Sequence, residues 1–169
     1  MTTASVSSAT GPASGDAVLA APERGAADGL ALLRLVLDRE LIGVRRHELE
    51  LAGRVPDSVR PHVDAAQGML EFLLDDGSGG VVVLALAPGA RGDTVVPLLP
   101  AVQPTEPGGH DVTDDEPFAE VAGEALEDVS RLLTHVERPD EMRGVVLHLG
   151  GRMLMVYADL WELRVTLLP

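Results

Sequence analysis

The chain has 169 residues, with 27 Asp and Glu against 13 basic residues and a formal net charge of -14. At 46% hydrophobic residues it can bury one ordered core, and its acidity argues against a general nucleic-acid or anionic-membrane binder, because phosphate surfaces demand basic ones. Cysteine is absent, which excludes disulfides, thiolate metal sites and a Cys nucleophile.

Every basic residue is Arg, Lys and Asn are absent, and Ile42 is the only isoleucine. That is the mark of high-GC coding, of an actinobacterial type. It has a chemical corollary: a lysine Schiff base, a lysine general base and a P-loop lysine are excluded. One Trp, one Tyr and two Phe are a poor supply for an aromatic cage or a base-stacking platform.

Residues 1–27 are small and polar without an apolar period, and read as a disordered tail. They lack the basic and apolar regions of a secretory signal. Nowhere is there the run of about 18 apolar residues that a membrane span needs, so cytoplasmic residence is expected. From residue 28 a helix is expected, with Leu30, Leu33, Leu37, Leu41 and Val44 on one face and Leu32, Leu35 and Val36 widening it. Helix to Leu41 and a strand over 44–51 is the preferred reading; one long helix ending before Gly53 is the rival. Residues 53–62, with Pro56 and Pro61, connect. Residues 63–75 fit a helix through Val63, Ala66, Leu70 and Leu73, while their last six also fit a strand. Residues 75–80 form a turn, residues 81–87 a strand apolar on both faces, and Asp93–Leu99 a short strand that Pro97 confines to an edge.

Pro100, Pro104, Pro107, Gly108 and Gly109 mark a loop over 100–112. The best helical pattern follows, roughly Asp115–Val136, with Phe118, Val121, Ala122, Ala125, Val129, Leu132, Leu133 and Val136 on one face. Thr113 and Glu116 resemble a capping box, and Glu127 stands four residues before Arg131 as a helical ion pair would. A hairpin over 143–149 and 152–158 turns at Gly150–Gly151. In the last strand Trp161, Leu163, Val165 and Leu167 alternate with polar residues. The expected fold is therefore α+β: an N-terminal helix with strands, then a long acidic amphipathic helix packed on a C-terminal three-stranded antiparallel meander. Residues 28–169 form a single domain in this reading, divisible into sub-lobes 28–99 and 113–169.

Chemistry-bearing motifs are sparse. The histidines His47, His62, His110, His135 and His148 form no HExxH, and His62 with Asp64 or His110 with Asp111 and Asp114 are thin metal spacings. Asp75–Gly79 fails the calcium-loop pattern because its twelfth position is Leu86. Residues 87–92 follow a strand and could hold an anion beside Arg91, but no helix obviously follows. Ser130, Asp128 and His135 do not share a helix face, and Glu48 with Glu50 resemble an acid/base pair only in distance. No cofactor and no metal are expected.

One feature rises above this background. Residues 106–128 hold nine acids and no Arg. Asp114, Asp115, Glu116, Glu120, Glu124, Glu127 and Asp128 are the candidate binding residues, projecting from the acidic helix toward a partner protein with a basic surface. Arg45, Arg46, Arg54 and Arg60 make a thin basic strip that could face them within the molecule or across a homodimer. Met153 and Met155 alternate with Leu154 and Val156, which makes both faces of that strand apolar. The leading expectation is a non-enzymatic binding or regulatory protein. The alternatives are a scaffold that self-associates through apolar sheet faces, and a small-ligand binder or enzyme of unknown class.

Overall fold

The computed structural model describes residues 26–47, 68–89, 91–101, 109–133, 138 and 141–169. A short helix, α1 (Ala26–Arg34), leads into β1 (Leu41–Arg46), β2 (Leu70–Asp75), β3 (Val81–Pro88), β4 (Val95–Ala101) and the two-residue β5 (His110–Asp111). The second half supplies β6 (Leu126–Leu133), β7 (Met142–Leu149), β8 (Arg152–Asp159) and β9 (Glu162–Leu168). These make two antiparallel sheets, one in the order β4-β3-β2-β1-β5 and one in the order β6-β7-β8-β9. The protein is thus mainly β, and the expected α+β arrangement is wrong.

The largest correction concerns residues 115–136. No long helix forms there. A three-residue 3-10 turn at Phe118–Glu120 is followed by turns and then by β6. The deceptive spacing has two sources. Phe118 and Val121 are buried three apart because a 3-10 turn repeats every three residues. Leu126 and Val129 are buried three apart because a bulge between Leu126 and Asp128 adds a residue to the strand. Ala122 and Ala125, which a helix would bury, are exposed. Gly123, at φ 84°, takes a left-handed conformation that a helix interior does not use. Thr113 caps nothing: its Oγ1 accepts from Val44 N–H at 2.9 Å and donates to Asp111 Oδ1 at 2.6 Å, tying the segment to β1. Four residues along a strand span about 13 Å instead of one helical turn, and among the described residues Glu127 and Arg131 form no ion pair.

The first helix is also shorter than its pattern. It ends at Arg34, turns fill 35–38, and Leu35 is 63% exposed. Leu33 and Val36 are buried, and a Cβ on Gly29 would lie 2.6 Å from Met142 Cε. α1 therefore closes the side of the molecule where β4 and β6 approach. The expected strand over 44–51 begins earlier, at Leu41, and its part beyond His47 lies outside the described residues. Of the ambiguous stretch 63–75, the described end is strand β2. Most of the expected tail, residues 1–25, and most of the loop, residues 102–108, also lie outside them.

The remaining strands follow the sequence closely. Gly150 and Gly151, at φ 55° and 76°, make the tight turn between β7 and β8. Pro97 lies in β4, at the edge of its sheet, where a missing N–H costs no inward ladder bond. Between β8 and β9 the turn is made by Leu160 and Trp161, both at positive φ. Side chains are strained there. Trp161 is anchored in compensation: its N–H donates to Gly92 O at 2.9 Å, and its indole covers Gly92, leaving no room for a Cβ.

One continuous core fills the space between the sheets. Leu41, Phe72 and Leu86 from the first sheet join Val129, Leu147 and Leu154 from the second, with Leu33, Phe118 and Val121 closing the sides. Between the ends of the two sheets an isolated bridge, Glu40 to Ala125, links the residue before β1 to the residue before β6.

Candidate functional site

All seven acids singled out from the sequence are exposed or half-exposed, although none sits on a long helix. Asp114, Asp115 and Glu116 ride the turns before the 3-10 segment. Glu120 ends that segment, Glu124 precedes β6, and Glu127 and Asp128 lie on it. Phe118 and Val121, at 3% and 0% exposure, root this chain stretch in the core while its carboxylates face water. Glu120 is held by Arg152 at 2.5 Å. Among the described residues it is the only one of the seven with an ion pair.

A second group of acids adjoins the first through backbone pairing. Asp38 N–H donates to Leu126 O at 2.8 Å, Leu126 N–H to Arg39 O at 2.9 Å, and Leu41 N–H to Glu124 O at 2.9 Å. Asp75 N–H donates to Glu40 O at 2.9 Å, which brings the β2–β3 turn alongside. The result is a depression of about 390 Å³ lined by Leu37, Asp38, Arg39, Glu40, Asp75, Asp76 and Gly77. Four carboxylates surround one Arg. The sequence hid this group, because residues 38–40, 75–76 and 124–126 meet only through long-range ladder bonds.

The turn uses its own carboxylates. Asp76 Oδ1 accepts from Ser78 N–H at 2.7 Å, Ser78 Oγ–H at 2.7 Å and Gly80 N–H at 2.9 Å, and Asp75 Oδ1 accepts from Gly77 N–H at 2.8 Å. The Ser78 hydroxyl first, then the two N–H groups, hold the Asp76 carboxyl below the usual carboxylate range. Asp111 is likewise held low by the hydroxyl and N–H of Thr113. Among the described residues no group of three or more His, Asp or Glu is placed to hold a metal ion.

Two histidine settings were not legible beforehand. His47 Nε2 lies 2.9 Å from Glu71 Oε2, with the Glu71 side chain wholly buried in β2. The ring fits because Gly109 has no Cβ, which would stand 2.8 Å from it. His148 Nε2 lies 3.1 Å from Ser130 Oγ, and His148 is the direct cross-strand neighbour of Asp128. So Ser130 does meet a histidine, His148, and through strand register rather than helix spacing. Among the described residues no hydrogen bond joins Asp128 to the ring. The pair lies on the outer face of the second sheet, with both residues partly buried.

Among the described residues, the arginines around the loop after β3 face carboxylates. Arg91 approaches Glu141 at 3.6 Å, and Arg138 bridges Asp93 at 2.5 Å and Glu141 at 2.6 Å. Arg46 Nη1 donates to Leu163 O at 3.1 Å, so it ties β1 to β9. His62, Asp64, His135, Arg54, Arg60, Glu48 and Glu50 lie outside the described residues.

No family model, curated protein or solved structure matches this chain.

Proposed function

We propose that this chain is a non-enzymatic binding or regulatory protein that docks a basic surface of a partner protein. The docking side is the acidic stretch Asp114–Glu127, extended by Asp38, Glu40, Asp75 and Asp76. One observation supports this above the others: five of the six acids of residues 114–127 are, among the described residues, without an ion pair, on backbone anchored by buried Phe118 and Val121. Like charges held together on a firm support create a potential that a basic partner relieves, which speeds encounter and rejects acidic competitors.

The test is capture of partners from the native cell, followed by titration of the captured protein. Wild-type chain should retain a basic protein, with affinity falling steeply from about 0.05 to 0.5 M salt. Reversal of Asp115, Glu124 and Glu127 to Arg should abolish retention without changing the far-UV circular dichroism. Binding that ignores salt, or survives the reversal, sinks the reading.

The same reading keeps the chain in the cytoplasm, and fractionation of cells carrying a tagged copy checks this. Among the described residues no helix is long and apolar enough to cross a membrane.

A further inference from the structure

The outer face of the second sheet has an unusual layout. Its inner face packs on the core through Val129, Leu147, Leu154 and Val156. Its outer face carries Met153, Met155 and Tyr157, all only partly buried, and Val146 at 8% exposure.

Register lays this face out as a grid. One row runs from Asp128 through His148 and Met153 to Leu168. Another runs from Leu132 through Gly144 and Tyr157 to Arg164. Between them, Val146 and Met155 occupy the centre. The two charged corners, Asp128 and Arg164, are thus diagonally opposed, and the two leucine corners, Leu132 and Leu168, take the other diagonal. Three strand spacings make the grid about 14 Å wide, and four residues of strand make it about 14 Å long. It is close to square.

A square with this pattern is complementary to itself. Consider a two-fold axis in the plane of the face, along the Leu132–Leu168 diagonal. It lays each Asp128 over the partner's Arg164, sets each leucine corner against its own copy, and stacks the Val146–Met155 centre on itself. Because the axis lies about 45° from the strands, the two sheets cross near 90°, one of the two packings that sheets adopt. We propose that this chain forms an isologous homodimer through the outer face of β6–β9, with reciprocal Asp128–Arg164 ion pairs across an apolar centre.

The charges are available for this. Asp128 is exposed and, among the described residues, has no ion pair. Arg164 holds Glu162 through Nη2 while 46% of its side chain stays exposed. Gly144 lets the flanking side chains close up: a Cβ there would lie 3.0 Å from Leu132 Cδ1 and 2.9 Å from Tyr157 Cβ. The strands span roughly 20 by 25 Å, so the face buries about 500 Å² a copy, the low end for specific complexes. The dimer takes Asp128 from the acids at 114–128 but needs no basic partner, so it does not depend on the docking reading.

Analytical ultracentrifugation across a concentration series tests the dimer. Wild type should dimerise, and more tightly as salt rises, because screening relieves the repulsion of two chains of net charge -14. Met155→Glu at the centre should leave only monomer. Asp128→Arg should weaken the dimer about tenfold or more, and Arg164→Asp added to it should restore it, because the swapped pair is again complementary. Since the chain has no cysteine, Leu168→Cys gives a single thiol, and a short bis-maleimide should join two such copies, whereas Ile42→Cys should not. A wild-type chain still monomeric at about 0.5 mM overturns the proposal. So does a dimer indifferent to Met155→Glu. If the double swap fails to restore association while Leu168→Cys also fails to cross-link, the two-fold axis is wrong.

Discussion

Phe72 and Phe118, the only phenylalanines in the chain, meet edge to face with ring centroids 6.3 Å apart and planes inclined at 72°. Phe72 comes from the middle of β2 and Phe118 from the 3-10 turn of the acidic stretch. This contact fixes where the carboxylates stand. Truncation to Phe118→Ala should cost about 3–5 kcal/mol, the usual cost of emptying an aromatic site in a core. Urea unfolding checks it, and a loss below about 1 kcal/mol would mean that the turn is not rooted there.

His47 and Glu71 form the second contact with a clear energetic consequence. Removing one partner of a buried polar pair leaves the other with fewer contacts to offset its burial, while replacing both removes that cost. His47→Leu and Glu71→Leu should therefore each destabilise by roughly 2–4 kcal/mol, and the double variant by clearly less than their sum. Additive losses in a double-mutant cycle would show that the two groups do not act on each other.

The Asp76 turn makes a prediction about acid. Its carboxyl is held below the ordinary aspartate value of 3.8 by hydrogen bonds that favour the charged form. In the unfolded chain that help is gone, so the unfolded state takes a proton first as pH falls. The stabilisation is fully present above the ordinary value and disappears as pH drops through the depressed one. Carboxyl carbon NMR should show Asp76 titrating below 3.8, and Ser78→Ala should move it back upward. A titration unchanged by Ser78→Ala would assign the shift to something other than that hydroxyl.

Gly92 and Trp161 link the two sheets at their ends. Gly92 has φ 75° and lies beneath the indole, so Gly92→Ala is penalised both by backbone and by space. Gly77 has φ 77° with nothing within 4 Å of where a Cβ would stand, which makes it the matched control. Gly77→Ala should cost about 1 kcal/mol and Gly92→Ala about 2–3 kcal/mol. Trp161 is the only tryptophan, so its emission should shift to the red in the second variant and not in the first.

The meander over β7–β9 was legible because each cue agreed: Gly150–Gly151 at the turn, branched residues in the arms, and a period of two in residues 161–167. Burial in the acidic stretch was partly legible too, since Phe118, Val121 and Val129 are in the core as their apolarity implied. Their backbone was not. A three-residue turn and a bulged strand, set end to end, reproduce the spacing of a helix, and the signal against it was Gly123 in the middle. The acidic depression and the Ser130–His148 contact depend on which strands pair, and no local pattern carries that information.

The bulged strand can be separated from a helix by experiment at two adjacent positions. On the expected helix, Ala125 lay on the buried face and Leu126 did not. In the structure Ala125 is exposed and Leu126 is 1% exposed. Ala125→Arg should therefore change stability by no more than about 0.5 kcal/mol, as surface substitutions do. Leu126→Arg places an unpaired charge between the sheets and should cost about 4 kcal/mol or more, enough to unfold a domain of ordinary stability. Thermal melts of the two variants decide it. The reverse order of effects would restore the helix and remove β6, and with it the register on which the dimer geometry is built.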